Sequence, residues 1–196
     1  MRRPVTALFA ACAVVAPVVA FVAAPPAGAD PCAGASPAVA IAATPGMGFY
    51  VAGTDGCIGT AGDAVALGQP GALAAPIVGV AAAPHGAGYW EVARDGGIFT
   101  YGTARFYGST GAIHLNQPIV GMAATPDGGG YWFVAQDGGI FTFGDAPFLG
   151  SATPVPGVAQ PPAGGIAGTA TGKGYWIAYQ ANDQIDAFGD GASMQF

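Results

Sequence analysis

Two histidines and one glutamate are the side chains of this sequence best suited to acid–base chemistry near neutral pH: His85, His114 and Glu91. A histidine titrates close to neutrality, but it acts as a general base only beside a correctly placed partner. No G-x-S-x-G elbow, H-E-x-x-H zinc motif or phosphate-binding glycine loop accompanies these residues. We therefore expect the histidines to be solvated loop residues, and the protein not to be an enzyme.

Aspartates recur at two fixed places, and rings of carboxylates can bind Ca²⁺, which takes six to eight oxygen ligands. One set precedes a glycine and the other follows one: Asp55, Asp95 and Asp137, then Asp63, Asp145 and Asp190. The spacing of a calcium loop is missing, and Thr103 interrupts the second set. Aspartate in a turn bonds to its own backbone and tolerates left-handed conformations. We interpret both sets as turn residues and expect no metal and no cofactor.

Tryptophans at equivalent positions, Trp90, Trp132 and Trp176, could stack on sugars, but aromatic residues at strand centres are more often core wedges. A ligand is expected to meet positions where repeated copies differ, because repeat proteins bind through variable residues on a constant scaffold. The candidate ligand-binding residues chosen in this way are His85, Glu91, Arg94, Asp127, Gln136 and Lys173.

The scaffold that would position these residues is a fourfold repeat. Residues 76–109 align with residues 118–151 without a gap, and 24 of the 34 positions are identical. Aromatic pairs begin at Phe49, Tyr89, Tyr131 and Tyr175, which gives periods of 40, 42 and 44 residues. Periods of this size indicate a repeat architecture. The repeats occupy about 36–74, 75–116, 117–160 and 161–196.

Each repeat is predicted to be a meander of three or four short antiparallel strands. In the third repeat the strands are expected at 119–125, 131–136 and 140–143, with a short fourth strand at 148–151. Asp137-Gly138 predicts a hairpin with a type I′ turn, because both central residues of that turn have positive φ. No stretch has a convincing helical period.

The central strand is apolar on both sides, with Trp132 and Val134 on one face and Tyr131 and Phe133 on the other. A sheet of this kind must lie between similar sheets. Four short strands in about 42 residues are typical of a propeller blade. The predicted fold is all-β, a β-propeller-like array of four antiparallel meander repeats.

The pattern PIVGMAATPDGGGYWFVAQDGGIFTFGDAPFLGS also resembles a tandem repeat common in exported bacterial proteins, where it often accompanies cell-wall hydrolase or peptidase domains. The resemblance covers residues 36–196. It is specific in the middle repeats and degraded in the outer ones, where Gly59 and Ala61 replace third-strand aromatics. It implies a propeller-like fold and an extracellular or wall-associated accessory role, and it supplies no catalytic residues.

The N-terminus has the features of a secretory signal peptide at 1–29, which would leave 30–196 as the repeat domain. A basic head, Met1-Arg2-Arg3, precedes a long apolar run, and Ala27 and Ala29 form an A-x-A cleavage site. The run is long enough to be retained instead as a membrane anchor. We expect the protein to be secreted or associated with the cell envelope.

Charge and cysteine content agree with export. The whole chain has five basic and eleven acidic residues, two of the basic ones being Arg2 and Arg3. Nucleic acid binding needs clustered positive charge, so we expect no nucleic acid partner. Cys32 and Cys57 are predicted to form a disulfide in an oxidising compartment.

The function that we expect is an exported, non-catalytic module that binds a cell-envelope glycan or an envelope protein. The alternative is a self-assembling structural or adhesive repeat protein, in which four repeats form a closed ring or a homodimer completes a larger propeller. A secreted hydrolase is the least favoured interpretation.

Overall fold

The computed structural model describes residues 36–85, 87–152, 161–180 and 184–193, all within a compact unit that spans Pro31–Phe196. The described residues contain twelve β-strands and no α-helix; a single 3₁₀ turn, Asp190–Ser193, follows the last strand. The predicted signal segment and Cys32 lie outside the described residues. The all-β prediction is confirmed.

The twelve strands form four sheets of three strands, each sheet an antiparallel meander with its strands in chain order. We call the sheets blades 1 to 4. Blade 1 contains β1 (Ala38–Ala43), β2 (Phe49–Gly53) and β3 (Ile58–Ala61). Blade 2 contains β4 (Ile77–Ala82), β5 (Gly88–Ala93) and β6 (Ile98–Gly102). Blade 3 contains β7 (Ile119–Ala124), β8 (Gly130–Ala135) and β9 (Ile140–Gly144). Blade 4 contains β10 (Ala163–Gly168), β11 (Gly174–Tyr179) and β12 (Ile185–Gly189).

The blades pack face to face in sequence order, and their first strands lie side by side: β1 contacts β4, β4 contacts β7, and β7 contacts β10. This is the propeller-like array that the repeats predict. The first and last of these strands, β1 and β10, do not pack against each other in the way that the neighbouring pairs do. The array of four blades is therefore open.

Central strands of the inner blades are the most deeply buried elements. Every residue of β5 and of β8 is buried, because each of these strands has a blade on either side. Trp90 and Trp132 are 1% and 0% exposed, which confirms the prediction that they are core wedges. Trp176, at the same position in blade 4, is only half-buried, since no further blade covers it among the described residues.

Two predictions about the meander are corrected by the structure. The segment 148–151, predicted as a fourth strand, has no regular structure; it belongs to the connector between blades 3 and 4. The hairpin is found where Asp137-Gly138 predicts it, but its turn begins one residue earlier. The Gly138 amide donates to the Ala135 carbonyl, so the central residues are Gln136 and Asp137. Gly138, with φ of 80°, is the left-handed residue that completes a three-residue loop.

Aspartates have the turn role that the sequence predicts. In the hairpins, the carboxylate of Asp95 accepts from the Gly97 amide at 2.9 Å, and that of Asp137 accepts from the Gly139 amide at 3.0 Å. At the other end of the blades, a threonine hydroxyl donates to the second set, as Thr44 does to Asp63 at 2.6 Å. In the residues that the structure describes, no group of three or more His, Cys, Asp or Glu side chains is arranged to hold a metal ion.

Two further findings bear on the expectation that the chain is exported. Cys57 is buried in the first hairpin, at 7% exposed, but its predicted partner Cys32 is outside the described ranges, so the disulfide stays a prediction. Within the described ranges, no helix is long and apolar enough to cross a membrane.

Candidate functional site

The two ends of the blades carry different loops. At one end, which we call the first-turn end, lie the turns that join the first and second strands of each blade and the segments that follow the third strands. At the other, the hairpin end, lie the turns between second and third strands, which contain Asp-Gly in blades 1 to 3. The six candidate residues divide between these ends and the interior.

His85, Asp127 and Lys173 lie at the first-turn end, each in the turn before the second strand of its blade, and all three are exposed. Two indole N–H groups build the surface around them. The Trp90 Nε1 donates to the Arg105 carbonyl at 2.7 Å, and the Trp132 Nε1 donates to the Pro147 carbonyl at 2.8 Å. Each bond fixes the segment after the third strand beside the turn of the same blade.

A cleft of about 360 Å³ opens between blades 2 and 3 at this end. Its lining combines two aromatic rings with groups of both charges; the principal side chains are His85, Trp90, Arg105, Tyr107 and Asp127. The Tyr107 hydroxyl donates to the Gly128 carbonyl at 2.7 Å and so closes one wall of the cleft. The volume falls within the range of small-ligand sites.

The ionic groups of this cleft are accessible and charged. Arg105 is exposed and presents its guanidinium cation to the cleft. The Gly129 amide donates to the Asp127 carboxylate at 3.1 Å, and this hydrogen bond holds the pKa of the carboxyl below its usual value. Asp127 is therefore ionised at neutral pH. One wall of the cleft carries the cation, Arg105, and the other wall carries the anion, Asp127.

Similar clefts lie between the other blades at the first-turn end, with different side chains. Between blades 3 and 4, a cleft of about 330 Å³ is lined by Asp127, Asp145 and Lys173. Between blades 1 and 2, the cleft measures about 260 Å³ and Asp63 is its only charged lining residue among those described. The structure thus brings His85 and Asp127 into one cleft, and Asp127 and Lys173 into the next.

Glu91 is in the interior, at 0% exposed, on the face of blade 2 that packs against blade 1. Neither carboxylate oxygen has a hydrogen-bond partner. Desolvation, with a smaller effect of the Asp55 charge, raises its pKa to about 8. A ligand at the surface does not reach Glu91 in this arrangement, and we leave it out of the candidate site.

Arg94 and Gln136 lie at the hairpin end, away from the clefts described above. Their backbone carbonyls join successive blades: the Ile119 amide donates to the Arg94 carbonyl at 3.0 Å, and the Ala163 amide donates to the Gln136 carbonyl at 2.9 Å. His114 lies at the same end, in a pocket of about 270 Å³ that also contains Asp137. The six candidates do not form a single site.

Arg105 and Tyr107 are the cleft residues that the sequence reasoning missed. They follow β6, in a segment whose counterpart in blade 3 was predicted to turn into a fourth strand. A signal was available in the repeat alignment. Arg105 aligns with Pro147, and Tyr107 aligns with Leu149, so both are positions where two otherwise similar copies differ.

Comparisons with known proteins add little to this geometry. No protein-family model matches the chain, and no curated protein sequence matches it. Among solved structures, the chain is similar to the C-terminal WD40 domain of Sif2, with a TM-score of 0.47 and 13% sequence identity. The match covers 72% of this chain and 42% of that chain. The chain thus spans less than half the length of this structure, and we base no functional argument on it.

Proposed function

We propose that the protein is an exported, non-catalytic binding module of the cell envelope, and that it binds a cell-envelope glycan at the first-turn end. The observation that carries the proposal is the cleft between blades 2 and 3. It combines the partly exposed ring of Tyr107 with the exposed charges of Arg105 and Asp127, above the buried indole of Trp90. A partly exposed aromatic ring beside polar groups suits the apolar and hydroxylated sides of a sugar ring.

The hydroxyl chemistry of the cleft supports a binding role rather than hydrolysis. Thr103 lines the cleft beside His85, but its hydroxyl donates to the backbone carbonyls of His85 and Ala87, at 3.0 and 3.2 Å. A nucleophile of a hydrolase needs its hydroxyl directed towards a base. The buried Glu91 cannot serve as that base, because no substrate reaches it.

A pull-down on insoluble wall glycan tests the proposal. We expect the chain to be retained, and expect Arg105→Ala or Asp127→Ala to weaken retention about tenfold, which corresponds to about 1.4 kcal/mol. Arg94→Ala, which removes the same charge at the hairpin end, is the matched control and should bind as the parent does. Circular dichroism establishes that each variant is folded.

Three outcomes would count against the glycan. Absence of retention contradicts the proposal outright. Equal losses of retention in Arg94→Ala and Arg105→Ala would mean either that the glycan binds outside the cleft or that retention depends only on the net charge of the protein. Retention that survives enzymatic digestion of the glycan from envelope fragments assigns the partner to an envelope protein instead.

A further inference from the structure

The open array ends in two sheet faces that no other blade covers in the described structure. The face of blade 1 directed away from blade 2, here named the head face, includes Ile41, Phe49 and Val51. Ile41 is 67% exposed and Phe49 is 40% exposed. The face of blade 4 directed away from blade 3, the tail face, includes Trp176, Ala178 and Ile185, and Ile185 is 49% exposed.

These two faces are the unpaired halves of an interface that occurs three times within the chain. Each internal interface places an aromatic ring of one blade against an aromatic ring of the next. The ring centroids are 4.7 Å apart for Tyr50–Tyr89, 6.0 Å for Trp90–Tyr131, and 5.7 Å for Trp132–Tyr175. On the tail face, Trp176 occupies the position that supplies the first ring of each pair. On the head face, Phe49 occupies the position that supplies the second ring.

Both faces also lack charge, although the chain has a formal net charge of −6. The strand register gives the side chains of the head face as Ile41, Ala43, Phe49, Val51, Gly59 and Ala61. It gives those of the tail face as Gly165, Ala167, Trp176, Ala178, Ile185 and Ala187. Depletion of charged residues is what distinguishes the centre of a protein interface from other surface.

We propose that the tail face binds the head face of a second copy of this chain. The first strands β1 and β10 do not pack within one chain, so the contact between copies would continue the series of side-by-side first strands. Two copies related by a two-fold axis make this contact twice and close into a ring of eight blades. Propellers of four to eight blades are known, and closure removes the exposed faces.

The composition of blade 1 fits this contact. Where blade 2 has Phe99 and Tyr101 on its face towards blade 1, the head face has Gly59 and Ala61. Because these side chains are smaller, the head face has a depression along its third strand. A larger group from the opposing blade can therefore be accommodated there without a clash, and Trp176 is the largest side chain that the tail face offers.

This inference goes beyond the proposed function, because the two faces are separate from the first-turn clefts. It is tested with the full chain, purified from a bacterial host, by size-exclusion chromatography with light scattering over a hundredfold range of concentration. We expect twice the mass of a single chain. Ile41→Asp on the head face and Ala178→Asp on the tail face should each give a single chain. Phe106→Asp, at a connector residue that is 61% exposed, is the matched control and should remain a dimer.

A mixing experiment tests whether the contact joins a head face to a tail face. Mixing Ile41→Asp with Ala178→Asp leaves one intact head face and one intact tail face, so the mixture should recover dimers that neither variant forms alone. A parent chain of single mass at every concentration overturns the proposal. So does a dimer of Ala178→Asp, which would mean that head face binds head face. Measuring glycan retention by the monomeric variants distinguishes a failure of this proposal from a failure of the proposed function.

Discussion

At the scale of single residues, the buried Glu91 makes stability depend on pH. Its pKa is raised to about 8, whereas an unperturbed glutamate has a pKa of 4.5. Below about pH 4.5 the carboxyl is protonated in both the folded and the unfolded chain, so it imposes no penalty. Between these two values the unfolded chain loses the proton while the folded chain keeps it. The free energy of unfolding therefore falls as the pH rises through this range.

We expect the parent chain to lose about 3 to 5 kcal/mol of stability between pH 5 and pH 9 through this one group. Glu91→Gln should abolish most of that slope. Glu91→Ile, which copies Ile177 of blade 4, should also raise the stability at pH 8, because it replaces an unpaired carboxyl by an apolar side chain. Urea unfolding at a series of pH values measures both effects. An unchanged slope in Glu91→Gln would assign the pH dependence to other groups.

In blades 2 to 4, the first residue of the aromatic pair is a tyrosine, and its hydroxyl ties the blade to the connector that precedes it. The Tyr131 hydroxyl donates to the Gly108 carbonyl at 2.6 Å and accepts from the Tyr107 amide at 3.1 Å. Tyr175 makes the same pair of bonds to Gly150 and Leu149. The equivalent residue of blade 1 is a phenylalanine, which has no hydroxyl, and no preceding connector lies against it in the described structure.

Tyr131→Phe should therefore destabilise the chain by about 1 to 1.5 kcal/mol, since two backbone groups lose a partner. Tyr101→Phe is the control, because blade 3 has a phenylalanine, Phe143, at the same position. The variant keeps the aromatic ring and its packing. Its effect should stay within about 0.5 kcal/mol. Thermal unfolding of the two variants and the parent makes the comparison. Equal losses in both variants would show that the bonds to the connector contribute nothing measurable.

At the scale of elements, the hairpin depends on a left-handed glycine. Gly138 has φ of 80°, and a Cβ placed there would lie 2.4 Å from the Cβ of Ala152. A non-glycine residue in this conformation costs about 1 to 2 kcal/mol before any clash is counted. The same turn recurs at Gly56 and Gly96, with φ of 78° and 79°.

Gly138→Ala should lower the free energy of unfolding by about 2 kcal/mol or more, because strain and the contact with Ala152 add. Gly71→Ala is the matched control: a Cβ there meets nothing within 4 Å, and its φ is not in the left-handed region. That variant should be neutral or slightly stabilising. Denaturant unfolding gives both values. A neutral Gly138→Ala would mean that the hairpin relaxes to accept a side chain.

The elements also show what the sequence could and could not predict. Strand order and hairpin position followed from Asp-Gly turns and from apolar alternation, which are local signals. The fourth strand was wrong because Phe148 and Leu149 have strand-forming side chains, yet the backbone of Leu149 bonds to the Tyr175 hydroxyl of the next blade. A tertiary bond of this kind is invisible to a pattern read within one repeat.

The burial of Glu91 was missed for a related reason. Variation among repeats was taken as a sign of exposure, but the other residues at this position, Val51, Phe133 and Ile177, are all apolar. An apolar majority at one position of a two-faced strand indicates an interface between blades. The first-turn candidates, by contrast, lie in turns rich in glycine and proline, and their exposure was predictable from that composition.

At the scale of the whole molecule, stability is expected to vary along the array. Stacked repeats contribute an intrinsic term and a term for each interface, and the terminal blades have one interface where the inner blades have two. All six residues of β8 are buried, whereas in β1 no residue is. Local opening should therefore begin at the outer blades.

Hydrogen exchange followed by mass spectrometry should find the amides of β8 and β5 the slowest, and those of β1 the fastest, among the first and second strands. If the second-copy contact forms, dilution or Ile41→Asp should accelerate exchange in β1 and leave β8 nearly unchanged. Uniform protection across the blades would indicate a single cooperative unit and would contradict unequal interface terms.

The hydrogen bond from each of these tyrosines to the connector before it has a consequence for a chain that is synthesised from its N-terminus. When a connector such as 106–108 emerges from the ribosome, the hydroxyl that will fix it is still more than twenty residues away, in Tyr131. The hydrogen bonds of such connectors can therefore form only after the next repeat has been synthesised. Each of these connectors is therefore fixed by its hydrogen bond only once the following blade is in place.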